Sequence, residues 1–253
     1  MDDLMLASAV IGAQIQSGNK GFRQKDVHFL LDLFASWRAS PTDPKFKGKV
    51  HNTQIQRHLN SMVSDNLLLA GQNNKKPFYR LSRAGILNII QFMKEQAVNG
   101  DFAEYIFVVY LFKGYAQKFL EASVIGQKAE QSSTLESLKD LINLQVLKAN
   151  KLHQLESEER YWKQRISENE EIVKFVEEQV NAGVEWGKII QQLDSRFPYE
   201  LSYRKPLTEL LRDTPEGIQK WEILSGNLLR IELIWKSTIA AIETQKKILQ
   251  RMS

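Results

Sequence analysis

Residues 53–85 read TQIQRHLNSMVSDNLLLAGQNNKKPFYRLSRAG, and this stretch decides the fold. Its first half predicts a helix that begins at Asn52 or Thr53, both good N-cap residues, and ends near Asn66. The apolar residues of this half recur at the spacing of one helical stripe. They are Ile55, Leu59, Met62 and Val63. The polar residues between them therefore form the opposite, outward face.

A β-hairpin is predicted directly after this helix. Two short β-prone runs, LLLA at 67–70 and FYRL at 78–81, flank a polar turn rich in Gly and Asn. The tip of the turn carries Lys75 and Lys76. Ser82 is a good N-cap for another helix, which is predicted from Arg83 to about Val98.

Two helices are predicted upstream of residue 53. The first covers about Asp2–Ile15 and closes at Gly18, where glycine supplies a left-handed cap. The second covers about Arg23–Trp37, and two prolines end it because they disfavour helical geometry. The basic run KFKGK at 45–49 lies in or beside the loop that follows.

The predicted order is helix, helix, basic helix, hairpin with a cationic tip, and helix. Over about residues 23–97 it resembles the winged helix-turn-helix of PadR-like and related repressors. The stretch from Thr53 to Leu68 resembles their recognition helix and first wing strand, and Lys76 to Gly85 resembles their second wing strand and the entry to the next helix. Asn66 replaces a usual glycine, which is acceptable because Asn tolerates positive φ. The family's second helix is not evident between Pro41 and Val50.

The resemblance implies a set of DNA-binding residues. The third helix would enter the major groove, where Arg pairs with guanine and Gln or Asn with adenine. Its readers would be Thr53, Gln54, Gln56, Arg57, Asn60 and Ser61. Cations of the hairpin and the loop would contact phosphates, namely Lys75, Lys76, Arg80, Lys45, Lys47 and Lys49. Alternatively, Gln54 and Asn60 only face solvent, and His58 is interpreted as a packing residue.

Positive charge is concentrated in one quarter of the chain. Residues 20–83 hold twelve Lys or Arg against four Asp, a net charge of +8, whereas the whole chain of 253 residues carries +4. A positive segment beside a near-neutral remainder is typical of a module that binds a polyanion. The alternative is an ordinary solvated face, since Lys and Arg are surface residues in most proteins.

After Gly100 the chain is predicted to be helical to its end, with irregular sequence at 198–217. The run Phe102–Phe112 has eleven residues, too few to cross a bilayer, and is predicted to be a buried helix. An imperfect 3-4 alternation runs from Leu138 to Val180 and suits a paired helix.

The helix from about Gly217 to Met252 repeats this alternation more cleanly. We expect its seam to join two copies in a homodimer, although packing within one chain is the open alternative. The seam comprises Trp221, Leu224, Leu228, Ile231, Trp235, Ile242 and Leu249.

Several kinds of site are not expected. The chain has no cysteine, which excludes disulfide scaffolds, thiolate enzymes and iron–sulfur proteins. The four histidines show no metal-ligand spacing, and no phosphate loop or catalytic triad is evident. We therefore expect no enzyme, no metal and no cofactor. The N-terminus carries two aspartates where a secretory signal carries basic residues, which favours a cytoplasmic protein without a membrane segment.

The sequence therefore predicts a mainly α fold with a small hairpin wing. A winged-helix domain at 1–98 precedes an all-helical domain at 99–253 that has long helices.

The first functional hypothesis is a sequence-specific, dimeric DNA-binding transcriptional regulator, with a repressor favoured by the resemblance. The alternative is a scaffold protein that binds partner proteins through both domains. A small-molecule or protein effector could bind the helical domain, with four tryptophans as candidates that equally suit a core. They are Trp162, Trp186, Trp221 and Trp235.

Overall fold

The computed structural model describes residues 3–38, 52–73, 76–123, 139–197, 209 and 211–252. Within them the protein is mainly helical with one two-stranded antiparallel sheet, which confirms the predicted secondary-structure class. The helices are α1 (Asp3–Ser17), α2 (Gln24–Arg38), α3 (Asn52–Ser64), α4 (Arg83–Asn99), α5 (Phe102–Ser123), α6 (Leu144–Asn181), α7 (Trp186–Arg196) and α8 (Gly217–Arg251). The strands are β1 (Leu68–Asn73) and β2 (Lys76–Leu81). None of the described helices combines the length and apolarity needed to cross a bilayer.

Contacts divide the chain into two compact units, Met1–Gln154 and Leu155–Ser253. The division falls within α6, whereas the sequence predicted a boundary at the Asn99-Gly100 break. The difference arises because α5 packs against α1 and α4 and so shares the core of the first unit. Helical periodicity shows where an element ends but not which core it joins.

The first unit is built around α1. Apolar residues from Leu4 to Ala13 bury almost the whole of this helix between α2, α4 and α5. Gln14 is the polar exception in its last turn. Its Oε1 accepts a hydrogen bond from the backbone N–H of Leu81 at 2.7 Å, and its Nε2 donates to the carbonyl of Gly18 at 2.8 Å. The buried amide thereby joins the end of α1 to the end of the hairpin.

The hairpin is longer than predicted, because β1 extends to Asn73 and β2 begins at Lys76. The sequence placed residues 71–77 in the turn, whereas 71–73 and 76–77 belong to the two strands. Gly71 pairs with Phe78 in the register, and a Cβ atom at Gly71 would lie only 2.5 Å from the Phe78 ring. The phenyl ring therefore covers the glycine, which lets a residue that usually weakens a strand remain inside it.

A short backbone bridge adds a third segment beside the hairpin. Phe22 and Tyr79 exchange two N–H to carbonyl bonds of 2.8 Å, and their rings lie 6.1 Å apart. Gly21 precedes the bridge with φ of +74°, in the region that favours glycine. A Cβ atom there would lie 2.7 Å from both the Phe78 ring and the Tyr79 carbonyl. The bridge fixes Tyr79 on the side of β2 that faces the core.

The predicted ends of several helices are confirmed. Asn66, just after α3, has φ of +57°, and Gly18, after α1, has φ of +54°. The Ser82 hydroxyl caps α4 by accepting a bond from the Gly85 N–H at 3.0 Å. At the other end of α4 the buried ammonium of Lys151 donates to the carbonyls of Val98 and Gly100, at 2.9 and 2.7 Å. The terminal carbonyls of α4 thereby gain donors from α6.

The second unit has its own apolar core, formed by α7 and parts of α6 and α8. Its fully packed members are Ile172, Phe175, Val176, Ile189, Ile190, Leu193, Leu211 and Trp221. Trp186 is half-buried against this core, and the Trp162 and Trp235 rings lie 5.8 Å apart. All four candidate tryptophans thus pack within the unit.

The seam of α8 packs within the chain, unlike the contact between copies that we expected. Four of its members are buried, namely Trp221, Leu228, Ile242 and Leu249, and the other three, Leu224, Ile231 and Trp235, are half-buried. The sequence pattern of α6 includes polar positions, which indicated an imperfect packing partner for the α8 seam. The structure pairs one of them, because Glu159 accepts a bond of 2.8 Å from Lys246 on α8. The pKa of Glu159 is lowered by its hydrogen bonds from Lys163 and Lys246.

Candidate nucleic-acid interface

The outward face of α3 is polar, exposed and free of acidic residues. Ile55, Leu59 and Met62 hold the helix against the core, as predicted. The helix itself contains no Asp or Glu, and the nearest acid in sequence is the exposed Asp65 just after its end, which accepts a bond of 3.5 Å from the Ser61 hydroxyl. Five of the six predicted readers are exposed, and the adjacent Ser64 is exposed as well. The five are Thr53, Gln54, Arg57, Asn60 and Ser61.

Gln56 is the predicted reader that the structure places differently. Its side chain is half-buried, and Nε2 donates to the Asn60 Oδ1 at 2.9 Å and to the Tyr79 hydroxyl at 2.8 Å. Both amide hydrogens are thus used within the protein, so the bidentate pairing with adenine that we predicted, which needs one of them, would require one of these bonds to break. Gln56 is therefore a positioning residue, which orients Asn60 and ties α3 to β2.

A groove separates the outward face of α3 from the hairpin. It has a volume of about 520 Å³ and is open to solvent. Polar groups from both elements line it, including Asn60, Ser64 and Gln72, with the Tyr79 side chain at its base. Sequence reasoning missed Ser64, Gln72 and Tyr79. The alternation of β2 could have identified Tyr79, since it lies on the same face as the buried Leu81.

The described cations of the hairpin lie on its other face. Lys76 pairs with Asn73 and Arg80 with Leu69, and these positions alternate with those of Tyr79 and Leu81. Lys76 is exposed near the tip, whereas Arg80 is half-buried. Four predicted phosphate contacts, Lys45, Lys47, Lys49 and Lys75, lie outside the described residues. Of the predicted cations, the structure thus supplies Lys76 as an exposed charge on the hairpin and Arg57 as one on α3.

The N-terminal ends of α2 and α3 lie side by side. The Gln24 side chain donates to the Asn52 carbonyl at 2.6 Å, which joins the first residues of the two helices. Lys25, next in sequence, is exposed and is a cation that the sequence prediction did not assign. The first turn of α2 also carries Asp26, whose carboxylate accepts the Arg23 N–H at 2.8 Å, so Lys25 is the exposed cation of this end.

His58 faces inward from the flank of α3. It is half-buried, and burial lowers the pKa of its imidazole, while the nearby Asp3 carboxylate partly opposes that shift. The packing interpretation of His58 therefore agrees with its environment. In the described parts of the chain, no three histidine or carboxylate side chains come together as a metal ion would require.

No known family model, no curated protein and no solved structure matches the chain. The function must therefore be argued from the geometry and charge of this surface.

Proposed function

We propose that this protein binds duplex DNA in a sequence-selective manner and acts as a transcriptional regulator. One observation carries the proposal: α3 presents an acid-free polar face beside a hairpin that it contacts through Gln56 and Tyr79. An exposed helix of this kind fits the major groove, which is wide enough for one helix. The hairpin would then lie along the flanking backbone as a wing.

The charge of the surrounding segment supports the same proposal. Residues 20–83 carry a net charge of +8, and this segment includes α2, α3 and the hairpin. A protein-binding wing has no need for so many cations, whereas phosphate contacts supply much of the affinity for DNA. Lys25 and Lys76, both exposed, would contact phosphates on the two sides of α3.

The bases would be read by three exposed side chains of α3. Arg57 can donate two hydrogen bonds to guanine, and Asn60 or Gln54 can pair with adenine. The bond from Gln56 fixes the Asn60 amide with its oxygen toward Gln56 and its NH₂ group outward. Asn60 is therefore oriented before binding, which lowers the entropy cost of recognition.

The proposed cellular role follows from the resemblance to PadR-like repressors and includes a cytoplasmic location. The scaffold alternative is favoured by three exposed apolar side chains of the first unit. They are Phe29, Leu69 and Tyr110, each more than half exposed. They are scattered over α2, β1 and α5, and single exposed apolar residues are common on soluble proteins. DNA binding is the better supported proposal.

Fluorescence anisotropy with the full chain and labelled random-sequence duplexes tests DNA binding. Affinity should fall about 40-fold between ~50 and ~200 mM salt if three phosphates are contacted. Selection of duplexes from the random pool should then enrich one motif. Absence of binding at low salt, or an affinity independent of salt, would contradict the proposal and favour the scaffold alternative. Lys174→Ala, a substitution at an exposed lysine of α6, serves as the control that should leave the salt dependence unchanged.

A further inference from the structure

The outer face of α8, opposite the seam that packs within the chain, exposes several large aliphatic side chains. Five large aliphatic side chains on this face are between 52% and 69% exposed. They are Ile218, Ile223, Leu229, Leu233 and Ile234. Several exposed large aliphatic side chains on one side of a helix mark an interaction surface more often than a solvated one.

The sequence along this face is palindromic in its chemistry. Residues four apart form a ridge on a helix surface, and one such ridge of α8 is Ile218, Glu222, Gly226, Arg230 and Ile234. It reads apolar, acid, small, base, apolar. When the same order of residues is read backwards and set beside the original, each aliphatic residue matches an aliphatic residue and each charge matches its counter-charge. One flanking pair obeys the same symmetry about Gly226, because Ile223 and Leu229 lie three residues to either side.

The two charges of the ridge have no counter-charge among the described residues. Glu222 and Arg230 are exposed and lie eight residues apart, about 12 Å along the helix, which is too far for an ion pair within it. Neighbouring charges are paired within the chain, since Lys236 contacts Glu232 and Glu170. The unpaired ridge charges are therefore available to a partner.

Gly226 leaves room for close approach at the centre of the ridge. No atom lies within 4 Å of the position that a Cβ would occupy there, so the glycine is not needed for packing in the chain. Glycine lowers helix stability by about 1 kcal/mol relative to alanine. Its presence at the symmetric centre of an exposed ridge fits a contact between two helix backbones.

We propose that two copies of this chain pair antiparallel through this ridge, with the two-fold axis at Gly226. When ridges of residues four apart align, two helices cross at about −50°. In that arrangement Glu222 meets Arg230 of the second copy, and the symmetry repeats this ion pair. The two Gly226 backbones lie in contact at the crossing point.

Self-complementarity identifies the occupant as a second copy, since an unrelated partner would have no reason to match this order in reverse. Because the two helices cross at about −50°, they diverge on either side of Gly226, and the contact is confined to the few turns of α8 around that residue. A contact of this length is smaller than most obligate interfaces, so the dimer should dissociate on dilution. This inference does not rest on DNA binding, because the ridge belongs to the second unit.

Charge reversal tests the pairing by sedimentation velocity over a concentration series of the full chain. Glu222→Arg and Arg230→Glu each place like charges opposite one another twice, and each should raise the dimer Kd at least about tenfold. The double variant E222R/R230E restores both ion pairs with reversed polarity and should return the Kd to within about threefold of the original. Circular dichroism checks that every variant is folded.

A second pair of variants tests the central glycine. Gly226→Leu adds a side chain that has free space in the monomer and favours the helix, but it should separate the backbones and abolish the dimer. Lys247→Glu, at an exposed position beyond the paired segment, is the control and should leave the Kd unchanged. A monomeric intact chain, or a dimer that Gly226→Leu and both single reversals leave intact, would overturn the proposal.

Discussion

The amide of Gln56 donates a hydrogen bond to the hydroxyl of Tyr79 over 2.8 Å, and this bond joins the outward face of α3 to β2. The Tyr79 ring is buried and its backbone is bridged to Phe22. The buried ring and the bridged backbone fix the position of the Tyr79 hydroxyl, and the bond from Gln56 orients α3 relative to it. This bond adds to the apolar contacts of Ile55, Leu59 and Met62 in placing the proposed recognition helix and wing relative to one another.

Tyr79→Phe should weaken DNA binding without changing sequence preference. The variant keeps the ring packing but removes the acceptor of the Gln56 bond, so the free energy of unfolding should fall by about 0.5–1.5 kcal/mol. Affinity should fall on all duplexes alike, because orientation rather than base contact is lost. Denaturant unfolding and anisotropy measure the two effects, with Tyr115→Phe on α5 as the matched control. A changed motif preference would show that the Tyr79 hydroxyl itself reads bases.

Arg57→Ala and the double change of Lys75 and Lys76 to Ala should separate base reading from phosphate anchoring. Loss of the exposed Arg57 should cost roughly 1–3 kcal/mol on the preferred site and relax the choice at one base pair. The lysine variant should weaken all sequences equally and reduce the dependence on salt. Titrations of the selected motif and of its single-base variants decide between these outcomes. If Arg57→Ala also weakens all sequences equally, as the lysine variant does, α3 does not read bases.

Gly21→Ala should destabilise the first unit by about 2 kcal/mol or more. Its φ of +74° is unfavourable for alanine, and the added Cβ would overlap the Phe78 ring and the Tyr79 carbonyl. Gly114→Ala is the matched control, since nothing lies within 4 Å of its Cβ position in α5. That control should stabilise the helix by about 0.5–1 kcal/mol. Thermal unfolding compares them, and equal effects would show that the Phe22–Tyr79 bridge does not constrain the fold.

Stability should decrease as the pH falls below about 6.5, the usual pKa of histidine. Burial lowers the pKa of His58 in the folded state, so the unfolded chain binds a proton more readily. The free energy of unfolding is therefore highest above that pH, where His58 is neutral in both states. It decreases as the pH falls toward the pKa that His58 has in the folded state. His58→Gln should reduce this pH dependence in urea unfolding. Asp3→Asn should increase it, because the Asp3 carboxylate favours the protonated imidazole.

The local sequence determined the elements of the first unit and several of their ends. Ile55, Leu59 and Met62 recur at helical spacing, and Ser82 and Asn66 satisfy backbone requirements within a few residues of themselves. Such signals are short-range, so they act before any tertiary contact forms. The exposed polar face of α3 follows from the same periodicity, which is why five of its six predicted readers are exposed.

The tertiary structure alone decided which surfaces meet. The α8 seam that includes Leu228 and Leu249 could have joined two chains or one, and the structure packs it within the chain, where Lys246 also bonds to Glu159, 87 residues away. Gln56 has the sequence features of a base reader, yet Tyr79, 23 residues further on, takes its hydrogen bond. Periodicity fixes the face of a helix, but the partner of that face depends on contacts between distant segments, which no local pattern encodes.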